Sequence, residues 1–141
     1  MPVTRYSALV ALALPAMAAP AVAAPDVPTP GDLSPHPLAQ GVLDSLRWQA
    51  RPVVIVADGP ATEAQLTELM SEADALSERD VVILTAAPGT TDLPLPVGSD
   101  FALLLIGKDG GVKLSRSQPV APADIISLID QMPMRQNEAR R

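Results

Sequence analysis

Pro52-Val53-Val54-Ile55-Val56-Ala57, closed by Asp58-Gly59-Pro60, and Val81-Val82-Ile83-Leu84, opened by Glu78-Arg79-Asp80, are the two runs that decide the fold. Both are apolar and rich in β-branched residues, without alternation, the pattern of a strand covered on both faces. Between them Leu66, Leu69, Met70, Ala73 and Leu76 mark one helical face. Thr62, followed three residues on by Gln65, has the spacing of a capping box, so one helix is expected from about Thr62 to Ser77. Strand, helix, strand in that order implies two parallel strands joined by a right-handed crossover. The chain is therefore of the α/β class.

Downstream, Phe101-Ala102-Leu103-Leu104-Leu105-Ile106 reads as a further buried strand, and Gly107-Lys108-Asp109-Gly110-Gly111 carries the Asp-Gly signal of a tight hairpin. Val112 to Arg116 alternates like an edge strand, with Lys113 on the polar face, where a charge discourages edge pairing. Pro122, Asp124 in the first turn, and Ile125, Leu128, Ile129 and Met132 on one face give a last helix that stops near Pro133. Residues 135–141, with Arg135, Arg140 and Arg141, read as a solvated basic tail. Upstream, Leu38, Val42 and Leu46 recur every four residues and suggest a short amphipathic helix leading to Trp48. The connection from Ala87 to Asp100 is long for a compact domain; its Leu93, Leu95 and Val97 alternate with prolines, as in an extended segment laid on the core.

With 141 residues the chain is one domain at most, and 48 % apolar content against 18 % charged suits a packed core rather than disorder. It has no Cys and a single His, which removes zinc fingers, thiol redox enzymes, disulfide scaffolds, haem proteins and iron-sulfur proteins. No cofactor is implied. Arg5, the apolar stretch from Tyr6 to Leu14 and the small residues from Ala16 to Ala24 read as a signal peptide, so the protein is expected to be exported, to a periplasm or outside the cell. Cleavage is expected after Ala21-Val22-Ala23, with Ala18 as the second choice. No other segment is long enough to span a bilayer. Residues 24–37 form a proline-rich leader that holds His36, read as a solvent-exposed linker residue without a scaffold to orient it. Losing residues 1–23 leaves 16 acids against 9 bases, a charge of −7. With Trp48 and Phe101 as the remaining aromatics, both expected to be buried, nucleic-acid binding is excluded.

Pro37-Leu38-Ala39-Gln40, Arg47-Trp48, Ile106 to Leu114, and Ile129-Asp130-Gln131-Met132-Pro133-Met134-Arg135 together resemble a thioredoxin-like, peroxiredoxin-related family of unknown function. Its members include small exported bacterial proteins and domains repeated in vertebrate sushi-repeat and matrix proteins. The similarity runs from about Pro37 to Glu138. It departs from the family at about Gly41 to Leu46, which are extra, and at Ala87 to Asp100, which lacks a helix-like stretch. The resemblance implies a three-layer sandwich over residues 38–134, with a mixed four-stranded sheet built as β-α-β and then β-hairpin-α. In redox-active relatives a reactive thiol sits after the first strand, at the amino end of the next helix, where the dipole lowers its pKa. Here Asp58-Gly59-Pro60-Ala61-Thr62 stands in that place, and Val97-Gly98-Ser99-Asp100 stands where those relatives carry a proline. Reductase, peroxidase and isomerase chemistry are excluded by composition.

Two readings of function remain. The first is a non-catalytic module that binds a protein or envelope partner, through the long loop, with Leu93, Leu95 and Val97 as the candidate surface, or through an exposed hairpin edge. The second is a Cys-independent enzyme or small-ligand binder in which Asp58 and Asp100 share a proton beside the hydroxyls of Thr62 and Ser99. Each of these residues also has a structural explanation: Asp58 and Asp100 cap turns, and Thr62 caps a helix. Lys108, Lys113 and Arg116 around the hairpin suit either a small anion patch or solvent-facing strand charges. Dinucleotide, P-loop, nucleophile-elbow and calcium-loop motifs are absent from the sequence.

Overall fold

The computed structural model describes residues 26–141; the expected signal peptide and its cleavage point lie outside the described residues. The elements run β1 (His36–Pro37), α1 (Val42–Leu46), β2 (Arg51–Val56), α2 (Gly59–Met70), α3 (Ala73–Glu78), β3 (Val81–Ala86), β4 (Ala102–Ile106), β5 (Val112–Arg116), α4 (Pro122–Asp130) and α5 (Pro133–Ala139). They form one mixed sheet in the order β1-β3-β2-β4-β5. β2 and β3 are parallel, in register from Arg51 opposite Val81 to Val56 opposite Ala86. β4 runs antiparallel to β2, and β5 antiparallel to β4.

The continuous apolar runs follow from this arrangement, because alternate residues of each central strand face opposite sides and both sides are covered. Val53, Ile55, Val81, Ile83, Leu103 and Leu105 pack under α2, α3 and α4, through Leu69, Leu76, Ile125 and Ile129. Val54, Val56, Val82, Leu84, Leu104 and Ile106 pack against Val42 and Leu46 of α1, with Leu38, Leu93 and Leu95 at the margin. The 87–100 connection is thus laid along the second face, while Val97 at its far end is fully exposed.

Several expectations need correction. The sheet has five strands rather than four, because the proline-rich leader is part of the body. His36 and Pro37 pair with Leu84 and Thr85, the Leu38 amide donates to the Thr85 carbonyl at 2.8 Å, and Leu33 is buried in the first core. A proline tolerates this edge position, where its missing N–H costs the ladder nothing. The expected Thr62–Ser77 helix is two helices. α2 starts three residues earlier, with Pro60 in its first turn, and it ends where the Ser71 hydroxyl donates to the Glu68 carbonyl at 2.6 Å and Glu72 leaves helical geometry at φ −123°. The first helix spans only Val42–Leu46. The chain beyond Met132 is the helix α5 rather than a solvated tail; Pro133, read as a stop, is its first residue.

The hairpin is built as its sequence implies. The Gly110 amide donates to the Gly107 carbonyl at 3.0 Å and the Gly107 amide to the Gly111 carbonyl at 2.8 Å, a three-residue turn whose last position is left-handed, with Gly110 at φ 86°. The register then slips at Lys113, since Ile106 faces Val112 but Leu105 faces Leu114. That bulge interrupts the exposed edge of the sheet.

Gln65 does not close a capping box. It is buried, its Nε2 donates to the Val120 carbonyl at 2.8 Å, and its Oε1 accepts the Val120 amide at 2.8 Å. One side chain thus satisfies both backbone groups of the segment entering α4. Gln65→Leu fills the same space but orphans both groups, so it is expected to lower the unfolding free energy by about 2 kcal/mol or more in urea titration. An unchanged midpoint would contradict that role.

Candidate functional site

The first residue of β2, the residue before β3 and the hairpin after β4 meet at one end of the sheet, while Asp58 and Asp100 lie at the other. At the first end Arg51 is buried, 1 % exposed, within a strand of apolar neighbours. Its Nη1 donates to the Arg79 carbonyl at 2.9 Å and to Glu138 Oε2 at 3.2 Å, and its Nη2 to Glu138 Oε1 at 3.3 Å. This is a forked pairing with a carboxylate 87 residues away in sequence. Lys108 is also buried; its Nζ donates to Glu138 Oε1 at 2.6 Å and to Asp80 Oδ2 at 2.8 Å.

Around this centre Arg79 makes its own fork to Asp130, at 2.7 and 3.0 Å, and Arg135 reaches Glu78 at 3.1 Å. The cluster sets Arg51, Arg79, Lys108 and Arg135 against Glu78, Asp80, Asp130 and Glu138, so its formal charges cancel. Burial pushes the Glu138 carboxyl up, but hydrogen bonds from Lys108 and Arg51 outweigh it and hold the group below its ordinary value. The Asp130 carboxyl is lowered mainly by its hydrogen bond from Arg79, and Arg79 is raised in turn.

Two non-glycine residues of the described chain adopt left-handed backbone, Trp48 at φ 68° and Asp80 at φ 57°, and both touch Lys108. The Trp48 amide donates to the Lys108 carbonyl at 2.6 Å, and Asp80 holds the Lys108 ammonium. Trp48 was expected to be buried; its side chain is 63 % exposed. The backbone explains why, since the left-handed turn ties its amide to the hairpin and the chain re-enters the core at Ala50. Beside it the Arg47 guanidinium lies over the hairpin, where a Cβ on Gly110 would meet Arg47 Nε at 2.9 Å.

Next to the cluster is a cavity of about 370 Å³, lined by Arg51, Lys108 and Lys113 from the strands and hairpin and by Leu128, Met132 and Met134 from α4, α5 and the link between them. Among the described residues, the Arg51 Nε is the buried side-chain polar atom that has no hydrogen-bond partner.

The residues singled out from the sequence are placed differently. Asp58 is exposed at the N-cap position of α2 without a side-chain cap, and Asp100 is exposed. Thr62 Oγ1 donates to the Ala57 carbonyl at 3.3 Å. Ser99 Oγ donates to the Phe101 carbonyl and accepts the Phe101 amide at 3.2 Å. Both hydroxyls are thus engaged with local backbone, and none of the four residues lines the 370 Å³ cavity. Of the apolar trio, Leu93 and Leu95 pack on the second core and Val97 alone is fully exposed. His36 is not the open linker residue expected. Its side chain is 14 % exposed, with Nδ1 2.7 Å from the Ser34 carbonyl and Nε2 3.4 Å from Asp26. The hairpin cations do not form one solvated patch: Lys108 is buried, Lys113 pairs with Asp109 at 2.9 Å, and Arg116 bonds the Ser115 carbonyl.

Arg51 and Glu138, the centre of this site, belong to no motif in the sequence. An arginine opening a strand buried on both faces needs an acceptor, and Pro133 followed by helix formers signals a second helix able to carry one.

Residues 91–138, which are 48 of the 141, match the model of a family described as "Domain of unknown function (DUF4174)". The match spans the hairpin, both terminal helices and Glu138. No curated protein and no solved structure matches the chain. None of the described helices is long and apolar enough to cross a membrane.

Because Glu138 and Asp130 have folded-state pKa values below their unfolded ones, the unfolded chain binds more protons in acid. Their contribution to stability is present above the ordinary carboxylate range and is lost as pH falls through the depressed values. Urea unfolding is therefore expected to show a plateau near neutrality and a fall below about pH 4.5. Glu138→Gln should be less stable at pH 7 and show a shallower acid slope; an unchanged slope would contradict the assignment.

Proposed function

We propose that the chain is an exported, non-redox module of the thioredoxin-like class that binds a protein partner at the Arg51 end of its sheet, with Trp48 as the anchor. The strand order fits that class: a parallel β2–β3 pair, an antiparallel hairpin of β4 and β5, and helices over both faces. Trp48 carries the functional reading. A tryptophan held in left-handed backbone costs on the order of 1–2 kcal/mol, and leaving its large apolar surface in water forgoes the gain of burying it. Such costs collect where a surface is kept for recognition, and tryptophan is, with tyrosine and arginine, among the residues enriched where docking energy concentrates. Asp80, the second left-handed residue, braces the same hairpin through Lys108.

The enzymatic reading rests on Asp58 and Asp100. It finds less support, because both carboxylates are exposed and the neighbouring hydroxyls of Thr62 and Ser99 are engaged with backbone.

Trp48 is the chain's single tryptophan, so its emission reports its own surroundings. With a partner isolated from cell-envelope extract, the emission should shift to the blue on binding. Trp48→Gly should bind at least tenfold more weakly, yet be more stable by about 1 kcal/mol, since glycine accepts the left-handed backbone. A partner that binds the variant equally well, with no spectral change, would overturn the anchor. Export has its own check: amino-terminal sequencing of the protein recovered outside the cytoplasm should begin at Ala24, and retention of Met1 or recovery from cytoplasm alone would refute it.

A further inference from the structure

We infer that the 370 Å³ cavity between the hairpin and the start of α5 is a binding site for an aliphatic carboxylate, whose head meets Arg51 and Lys108 and whose tail lies along Leu128, Met132 and Met134. This inference does not rest on the docking role of Trp48.

The head group follows from a count of donors. A guanidinium has five N–H groups and an ammonium three. Arg51 directs three of its five at the Arg79 carbonyl and Glu138, leaving the Nε hydrogen and one on Nη2. Lys108 directs two of its three at Asp80 and Glu138. The carboxylates in reach are already shared: Glu138 serves both cations, and Asp109, which also lines the cavity, is held by Lys113 at 2.9 Å and by the Gly111 amide at 3.0 Å. Because the cluster is electrically balanced, net charge does not draw an anion in; unspent donors on buried cations do, and an anionic acceptor makes the strongest bond to them. Among acceptors, a carboxylate matches the spacing of neighbouring guanidinium N–H groups.

The tail follows from the apolar lining. Leu128 and Met132 are partly buried, and Met134 is 37 % exposed. Two methionines adapt to flexible aliphatic shapes better than branched side chains do. The volume lies in the lower part of the range for small-molecule sites, about 300–1,000 Å³, which suits a short chain rather than a rigid ring system. This chemistry occurs in a free short-chain acid and at the carboxy terminus of a peptide ending in an aliphatic residue.

The probe for the first source is octanoate, followed by amide proton–nitrogen spectra of the purified protein, with octanol and octylamine as neutral and cationic controls. Saturable shifts at residues 107–113 and 132–135 with octanoate, and at least tenfold weaker ones with the controls, are expected. The second source is tested with a short peptide ending in leucine, as free acid and as amide; binding of the free acid alone, with or without octanoate binding, assigns the chemistry to a chain end. Met134→Glu places a like charge in the lining and, in the first turn of α5, favours the helix, so the variant should fold while losing roughly tenfold in carboxylate affinity. Arg51→Lys serves as a second variant, keeping the charge while removing the fork. Equal responses to octanoate and octanol, shifts elsewhere on the protein, no saturable response to octanoate or the peptide acid, or unimpaired binding by Met134→Glu would each overturn the site.

Discussion

A guanidinium buried at the first residue of the central strand must find a carboxylate. Removing such a charge from water costs several kcal/mol, and a fork to an acid is one of the few arrangements that offsets the loss. Arg51 finds Glu138, at the far end of the chain, and much of that end of the molecule is organised by the pairing. α5 is only seven residues long and marginal by itself, yet it packs back because it carries the acid. Lys108 shares the same carboxylate, which fixes the hairpin, and Asp80 takes left-handed backbone while completing the lysine's set. Arg79, Asp130, Arg135 and Glu78 form an outer ring that joins α3, α4 and α5.

The two ends of the sheet consequently have different characters. At the end where β2 leaves the sheet, the chain has a short turn and two exposed aspartates whose neighbours serve the backbone. At the other end it concentrates Arg51 and Lys108, the left-handed non-glycine residues Trp48 and Asp80, the exposed tryptophan side chain, and a cavity lined by cations.

The core strands were legible in the sequence because each is an uninterrupted apolar run, and only strands covered on both faces read that way. The hairpin was legible because Asp109-Gly110 can serve few other local geometries. β1 was not, since two residues including a proline carry no periodicity; it exists because the edge of β3 offers Thr85 and its neighbours as partners. α5 was hidden for a related reason. Four of its seven residues are polar and they include the Arg135 and Glu138 that make tertiary ion pairs, so hydrophobic pattern does not announce it. Gln65 was misread because a glutamine three residues after a threonine looks the same whether it caps a helix or crosses to Val120. Trp48 was misread because aromatic residues beside apolar runs are usually inside, and its exposure is imposed by a backbone turn that a side-chain pattern does not encode. At the candidate site, Lys108 and Lys113 were recognised as cations near the hairpin, but the carboxylates that pair with them come from Asp109 nearby, from Asp80, 28 residues before Lys108, and from Glu138, 30 residues beyond it.

The dependence of the fold on the Arg51–Glu138 pair is most directly tested by a double-mutant cycle of Arg51→Met, Glu138→Leu and the two combined, read by urea unfolding at neutral pH. If the pair organises this end of the sheet, each single variant should lose about 2–3 kcal/mol, somewhat less than a fully buried pair because Glu138 is 26 % exposed. The double variant should then recover at least about 1.5 kcal/mol relative to the sum of the two losses. Losses that add to within about 0.5 kcal/mol would show the two residues acting independently, and would contradict the central place given to their contact.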